Sequence, residues 1–177
     1  MPRVCFWIRA SVASDLSGRR CNGTSHYSST LVIGYGNDLR GDDAAGIRVA
    51  ALIAGQSNQS RVIITQQLTP DLAADIARAG RVVFVDAYEA NEAGARLRVE
   101  KVSPSTETSD PGPEWCHRSD PASLVHLAGR LFGAAPDAWV VGIPAFCFDA
   151  GETMSAGTLN WVDEAVALIE ESVIFTE

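Results

Sequence analysis

The stretch Leu31-Val32-Ile33-Gly34-Tyr35-Gly36-Asn37-Asp38-Leu39-Arg40-Gly41-Asp42-Asp43 decides how the chain folds. It opens with a β-branched run, breaks at closely spaced glycines and passes two aspartates into Asp42–Ala54, where Ala45, Val49, Leu52 and Ile53 recur at helical spacing. A strand, a glycine turn and a helix in that order begin a βαβ unit.

Working outward, the alternation continues. Arg61–Gln67 reads as a second strand, and Pro70–Ala79 as a helix with Pro70 near its first turn. Arg81–Asp86 is a third strand, apolar on both faces as a central parallel strand is. Alternating residues from Arg96 to Val102 predict a half-exposed edge strand, and the Ser-, Thr-, Pro- and Gly-rich residues 103–119 predict a long loop. Asp120-Pro121 looks like an N-cap followed by proline at the first helical position, with Leu124, Leu127, Ala128 and Leu131 on one face. Trp139–Ile143 is a further strand and Pro144–Gly157 a second long loop, before a closing helix marked by Val162, Val166 and Ile169. The order predicts an α/β fold: a three-layer α/β/α sandwich around a twisted, mostly parallel sheet of about five strands, one of them an antiparallel edge strand.

The whole chain has 177 residues, which suits a single domain. Residues 1–30 stand apart, because Arg3, Arg9, Arg19 and Arg20 against Asp15 alone leave −11 on residues 31–177 out of −8 overall. We read 1–30 as an N-terminal extension outside the fold and 31–177 as one α/β domain; a basic tether or partner-binding arm is the alternative for the extension. Its apolar run Val4–Ile8 ends in Arg9 and is too short for a secretory signal. Fourteen basic against twenty-two acidic residues provide no broad basic face, which argues against nucleic acid. Apolar runs such as Val82–Val85 are far too short to span a membrane, so a soluble protein is expected. Cys5, Cys21, Cys116 and Cys147 form no C-x-x-C pair and read as free thiols in a reducing cytoplasm.

Doubly wound sheets place ligands beyond the carboxyl ends of their strands, where strand order reverses. If the first and third strands are neighbours, Asp43 at the start of the first helix and Asp86 at the end of the third strand face one crevice. His117 closes a long loop and can fold over it. Two carboxylates and an imidazole suit a borderline divalent metal such as nickel or zinc. Each residue also has a plain structural reading. Asp42 or Asp43 caps the helix, Asp86 caps its strand, and His117 is a surface loop residue; His26 falls in the extension, and His126 sits on a helix as a solvated or half-buried residue. A phosphate-binding reading of the glycine turn fails on spacing, because Leu39 stands where a dinucleotide fingerprint needs glycine and two aspartates repel a pyrophosphate. No P-loop, H-E-x-x-H or G-x-S-x-G occurs, and Cys116 beside His117 makes no convincing dyad.

These residues resemble the hydrogenase maturation proteases, which trim the C-terminus of the large subunit of nickel–iron hydrogenases. Gly34–Gly46 is similar to that family's G-x-G-N-x-L-x-x-D-[DE]-x-x-G; Gln67–Leu72, Val85-Asp86-Ala87 and His117 continue the likeness. Phe148–Ser155 is similar to a stretch common in the branch serving NAD-linked hydrogenases. The resemblance spans about residues 31–172. It implies that Asp43, Asp86 and His117 contact nickel and carry catalysis, and that Gly34, Gly36, Asn37, Asp42 and Gly46 shape the substrate site. It also implies that the nickel arrives in the precursor, that the enzyme has no cofactor of its own, and that a cytoplasmic monomer pairs transiently with its substrate. Asn37 and the Gly34–Gly36 backbone have two readings, oxyanion support or a tight turn that needs small residues. Ala44 departs from a common glycine, Asp43 is shorter than the glutamate of some members, and the extension has no counterpart. Two other functions compete: a flavodoxin-like or Rossmann-like protein binding a phosphorylated cofactor at Gly34–Gly46, and a non-catalytic nickel-sensing assembly chaperone using the same three ligands.

Overall fold

The computed structural model describes residues 30–56, 60–103, 120–151 and 153–171. His117, Cys116, His26 and the whole extension before Thr30 lie outside the described residues, as does most of the 103–119 loop.

Strand β1 (Thr30–Tyr35) leads through a 3-10 turn at Gly41–Ala44 into helix α1 (Ala45–Gln56). Strand β2 (Ser60–Thr65) follows, then a 3-10 turn at Pro70–Leu72 that continues as the single-turn helix α2 (Ala73–Ile76). The longer helix expected over Pro70–Ala79 stops early, because Gly80 and the immediate start of the next strand leave no room for a second turn. Strands β3 (Arg81–Glu89) and β4 (Arg98–Lys101), helix α3 (Pro121–Phe132), strand β5 (Asp137–Ala145) and helix α4 (Ala156–Glu170) complete the order.

The five strands run β2-β1-β3-β5-β4, the first four parallel and β4 antiparallel to β5. This is the mostly parallel sheet with one antiparallel edge that the sequence predicts, and β1 and β3 are neighbours. Alternate residues of the central strands feed two cores. Val32, Val83, Val85, Val141 and Ile143 meet Val49 and Ile53 of α1 and Val162, Val166 and Ile169 of α4. Leu31, Ile33, Val82, Phe84 and Ala138 meet Leu72, Ile76, Leu124, Val125 and Ala128 on the opposite face. Strands apolar on both faces demand cover on both, which makes the sandwich three-layered.

Further details depart from the sequence reading, and β5 too is longer than Trp139–Ile143. β3 does not end at Asp86 but runs on to Glu89, because β5 keeps pairing with it as far as Ala145. Asp86 therefore sits within a strand, half-buried. All four residues of β4 are exposed, rather than every second one, because the hydrophobic anchors of that edge lie just outside it at Leu97 and Val102. Asp120 caps α3 as expected, accepting from the Ser123 amide at 3.0 Å and the Ser123 hydroxyl at 2.6 Å. His126 is half-buried. Among the described residues no helix is long and apolar enough to cross a membrane, and Cys147 is a free thiol.

Candidate active site

The site begins with the glycines, whose task is close approach. A Cβ on Gly46, in the first turn of α1, would collide with the carbonyl oxygens of Val85 and Tyr35; one on Gly34 would collide with the carbonyl of Gly46. Helix α1 thus rests directly on the carboxyl end of β1 and the middle of β3. Gly36 has φ of +144°, and a Cβ there would strike the Asp43 carbonyl. The space these glycines free is filled by the protein's own carbonyls. Asn37 holds the turn: its side-chain oxygen accepts from the Leu39 amide at 3.0 Å and its carbonyl from the Arg40 amide at 3.1 Å.

Asp43 stands half-buried in the 3-10 turn after β1, and Asp86 on the neighbouring strand β3. The two are close enough that the charge of Asp43 helps to raise the pKa of Asp86. Burial is the main cause of that rise, which takes the Asp86 carboxyl to about 6 against bonds from Tyr35 and the Ala87 amide that favour its ionised form. The Ala87 amide donates at 2.9 Å. Tyr35 lies one residue beyond the Gly34–Val85 register pair, so it and Asp86 point to the same face, and its hydroxyl donates to the Asp86 carboxylate. Burial first, and then the negative charges of Asp86 and Asp120, hold the Tyr35 phenol protonated far above its ordinary range. Asp120 itself is held below the ordinary carboxylate value: burial opposes this, but the Ser123 bonds outweigh it.

Asp42 points the other way and is fully buried. Neither it nor Asp43 is a helix N-cap residue, since both lie inside the 3-10 turn Gly41–Ala44, whose N-cap position is Arg40, and α1 begins only at Ala45. This corrects the capping expectation. Instead the Asp42 carboxylate accepts from the amides of Phe146 (2.8 Å), Cys147 (3.0 Å) and Ser155 (2.6 Å), and from the hydroxyls of Ser155 and Thr158 (both 2.8 Å). Burial penalises its charge, but these donors more than compensate and lower its pKa. Backbone bonds reinforce the seam: Gly41 and Asp42 amides donate to the carbonyls of Gly151 and Cys147, and Gly151 donates back to Leu39. The Arg40 guanidinium reaches the Phe148 carbonyl at 3.3 Å.

The structure therefore brings Asp43 and Asp86 to one edge and sends Asp42 to the β5–α4 loop; His117 lies outside the described residues. Among the described residues no three His, Cys, Asp or Glu side chains are grouped so as to hold a metal. Sequence reasoning missed Tyr35, Ser155 and Thr158. A tyrosine ending an otherwise apolar strand signals a hydroxyl in need of a partner, and Ser155-x-x-Thr158 before a helical run is an N-terminal signature lacking its acid.

The sequence matches no protein-family model, and no curated protein matches it. Solved structures do. A hydrogenase 2 maturation peptidase from a Thaumarchaeota archaeon is 25% identical with a TM-score of 0.60, over 82% of this chain and 97% of that one. A [NiFe] hydrogenase maturation protease, HybD, from Thermococcus kodakarensis is 20% identical with a TM-score of 0.62, over 81% and 97%. The E. coli hydrogenase maturating endopeptidase HybD is 15% identical with a TM-score of 0.60, over 84% and 93%. The chain has the fold of the hydrogenase maturation proteases, in agreement with the resemblance carried by Gly34–Gly46.

Proposed function

We propose that this protein is a peptidase that removes the C-terminal peptide from the precursor of a nickel–iron hydrogenase large subunit, recognising the nickel that the precursor already carries. The observation that carries this reading is the placement of Asp43, in the turn that follows β1, beside Asp86 on the neighbouring strand β3, in a chain with the fold of proteins named as hydrogenase maturation endopeptidases. Two carboxylates that repel each other at a partly buried edge both gain from a divalent cation delivered between them. His117 lies three residues before Asp120 in the sequence, and we assign it as the third contact. The nickel is part of the substrate, and the protein needs no cofactor of its own.

In such a site the substrate's metal polarises the scissile carbonyl or activates a water. Asp43 or Asp86 then accepts the proton of the attacking water as the new C–O bond forms, and returns it to the peptide nitrogen, which leaves as an amine when the C–N bond breaks. Tyr35 keeps the Asp86 carboxylate turned toward the crevice. The enzyme acts as a cytoplasmic monomer that pairs transiently with its substrate, and the Phe148–Ser155 stretch supports the branch serving NAD-linked hydrogenases.

The test is the intact mass of the cognate precursor after incubation with this protein, nickel-loaded against nickel-free. Loss of a C-terminal peptide only from the loaded form supports the assignment. Nickel-dependent binding without cleavage would replace it with an assembly chaperone, and neither binding nor cleavage would overturn both.

A further inference from the structure

The N-terminus of α4 carries an unfinished cap. Ser155 is its N-cap residue, with the side-chain oxygen accepting from the Thr158 amide at 3.3 Å. A capping box would place an acid or amide at the third helical position to receive the N-cap's own N–H. Here that position is Thr158, whose short hydroxyl donates to Asp42 and does not take the Ser155 amide. The missing acceptor comes from Asp42, 113 residues earlier, which takes the Ser155 amide at 2.6 Å. The same carboxylate takes the amides of Phe146 and Cys147 where β5 ends. One buried anion thus receives both ends of the β5–α4 loop, and the next residue in its chain is Asp43.

Resting on the protease reading above, we propose that Asp42 is a positioning residue: it clamps the β5–α4 loop against the turn after β1, and so fixes where Asp43 stands relative to Asp86. A bare carboxylate without exposed surface is tolerated only when its lone pairs are filled. Asp42 meets that condition only while the loop is in place. The Gly41 and Asp42 amides are bonded to the same loop, so the turn that carries Asp43 moves only if the loop moves. Ser155 and Thr158 are parts of the same device, although neither belongs to the Asp43–Asp86 pair.

The experiment compares Asp42→Asn, Ser155→Ala and the double variant with wild type, well below each melting temperature, so that rates refer to folded enzyme. We expect processing of the nickel-loaded precursor to fall in kcat by at least tenfold in Asp42→Asn and by a smaller factor in Ser155→Ala. KM should stay within about threefold, and the double variant should be no slower than Asp42→Asn. Amide hydrogen exchange should accelerate together at Phe146 and Cys147 and at Asp42 and Asp43. A merely structural Asp42 would lower the melting temperature but leave kcat per folded molecule unchanged, and that result overturns the proposal. Faster exchange confined to the β5–α4 loop overturns it as well. If Asp42→Asn does not fold, Ser155→Ala decides alone by the same two readouts. A wild-type protein that processes nothing would defeat the protease assignment, and the exchange pattern would then decide the clamp separately.

Discussion

Tyr35 and Asp86 lie side by side on neighbouring parallel strands, and the tyrosine hydroxyl donates to the carboxylate. Asp86 thus has one fixed phenolic donor, one backbone donor from Ala87, and a second carboxylate in Asp43 whose charge it feels. It is a carboxylate held in place but not fully compensated, which is the state in which a group at a ligand-binding edge is useful.

That state makes stability depend on pH with a definite sign. The folded Asp86 carboxyl titrates at about 6 rather than 3.8, so the folded form disfavours the charged group. Its contribution is fully present below about pH 4 and is lost as pH rises through about 6. In metal-free protein Asp86→Asn should therefore be more stable than wild type at pH 7, by on the order of 2 kcal/mol. The advantage should vanish below about pH 4. Urea denaturation at pH 4, 5, 6 and 7 measures it, and a difference independent of pH would contradict it.

Tyr35→Phe removes the donor that favours the ionised Asp86, so the Asp86 carboxyl should titrate higher than in wild type. Carboxyl-carbon NMR titration reads this directly. The lost bond should also cost about 1–2 kcal/mol of stability, measured at pH 8, where Asp86 is ionised in both proteins.

Gly46→Ala tests the close approach of α1 to the sheet. The new methyl meets the carbonyls of Val85 and Tyr35, both backbone atoms of ordered strands, so the helix has to lift. A loss of at least about 2 kcal/mol is expected from such overpacking. Gly55→Ala, near the exposed end of the same helix with open space around it, should instead be neutral or slightly stabilising. Thermal melts of the two variants should differ in sign or by several degrees.

Asp43→Asn and His117→Ala should fold cooperatively and fail to process the nickel-loaded precursor, losing at least a hundredfold in rate. Asp43 belongs to neither hydrophobic core, so its substitution should change stability by no more than about 1 kcal/mol. Melting curves together with precursor mass spectra check both halves. Wild-type processing by both variants would remove these residues from the site.

The layers follow from features that a local window displays, whereas the adjacency of β1 and β3 entered the sequence reading only as a condition, which the strand order meets. Val82–Val85 and Leu31–Ile33 are apolar at every position, which requires cover on both faces, and Gly34 and Gly36 mark the turn that ends the first strand. The positions of Asp43 and Asp86 follow from the same order once β1 and β3 are adjacent. The end of β3 is less legible, because its last residues are held by a partner more than fifty positions away, at Ala145.

What the sequence by itself determined is therefore the alternation of strands and helices, the burial of both sheet faces, and the edge at which acidic residues gather. Periodicity and glycine placement are local, and they constrain each element before any other is in place. Only the tertiary structure decided the difference between two adjacent aspartates. Asp42 turns inward and Asp43 remains half-buried because five donors from Phe146, Cys147, Ser155 and Thr158 converge on one carboxylate alone. Those donors are more than a hundred residues away, and a buried charge is stable only where such partners are assembled, which no short stretch of sequence can display.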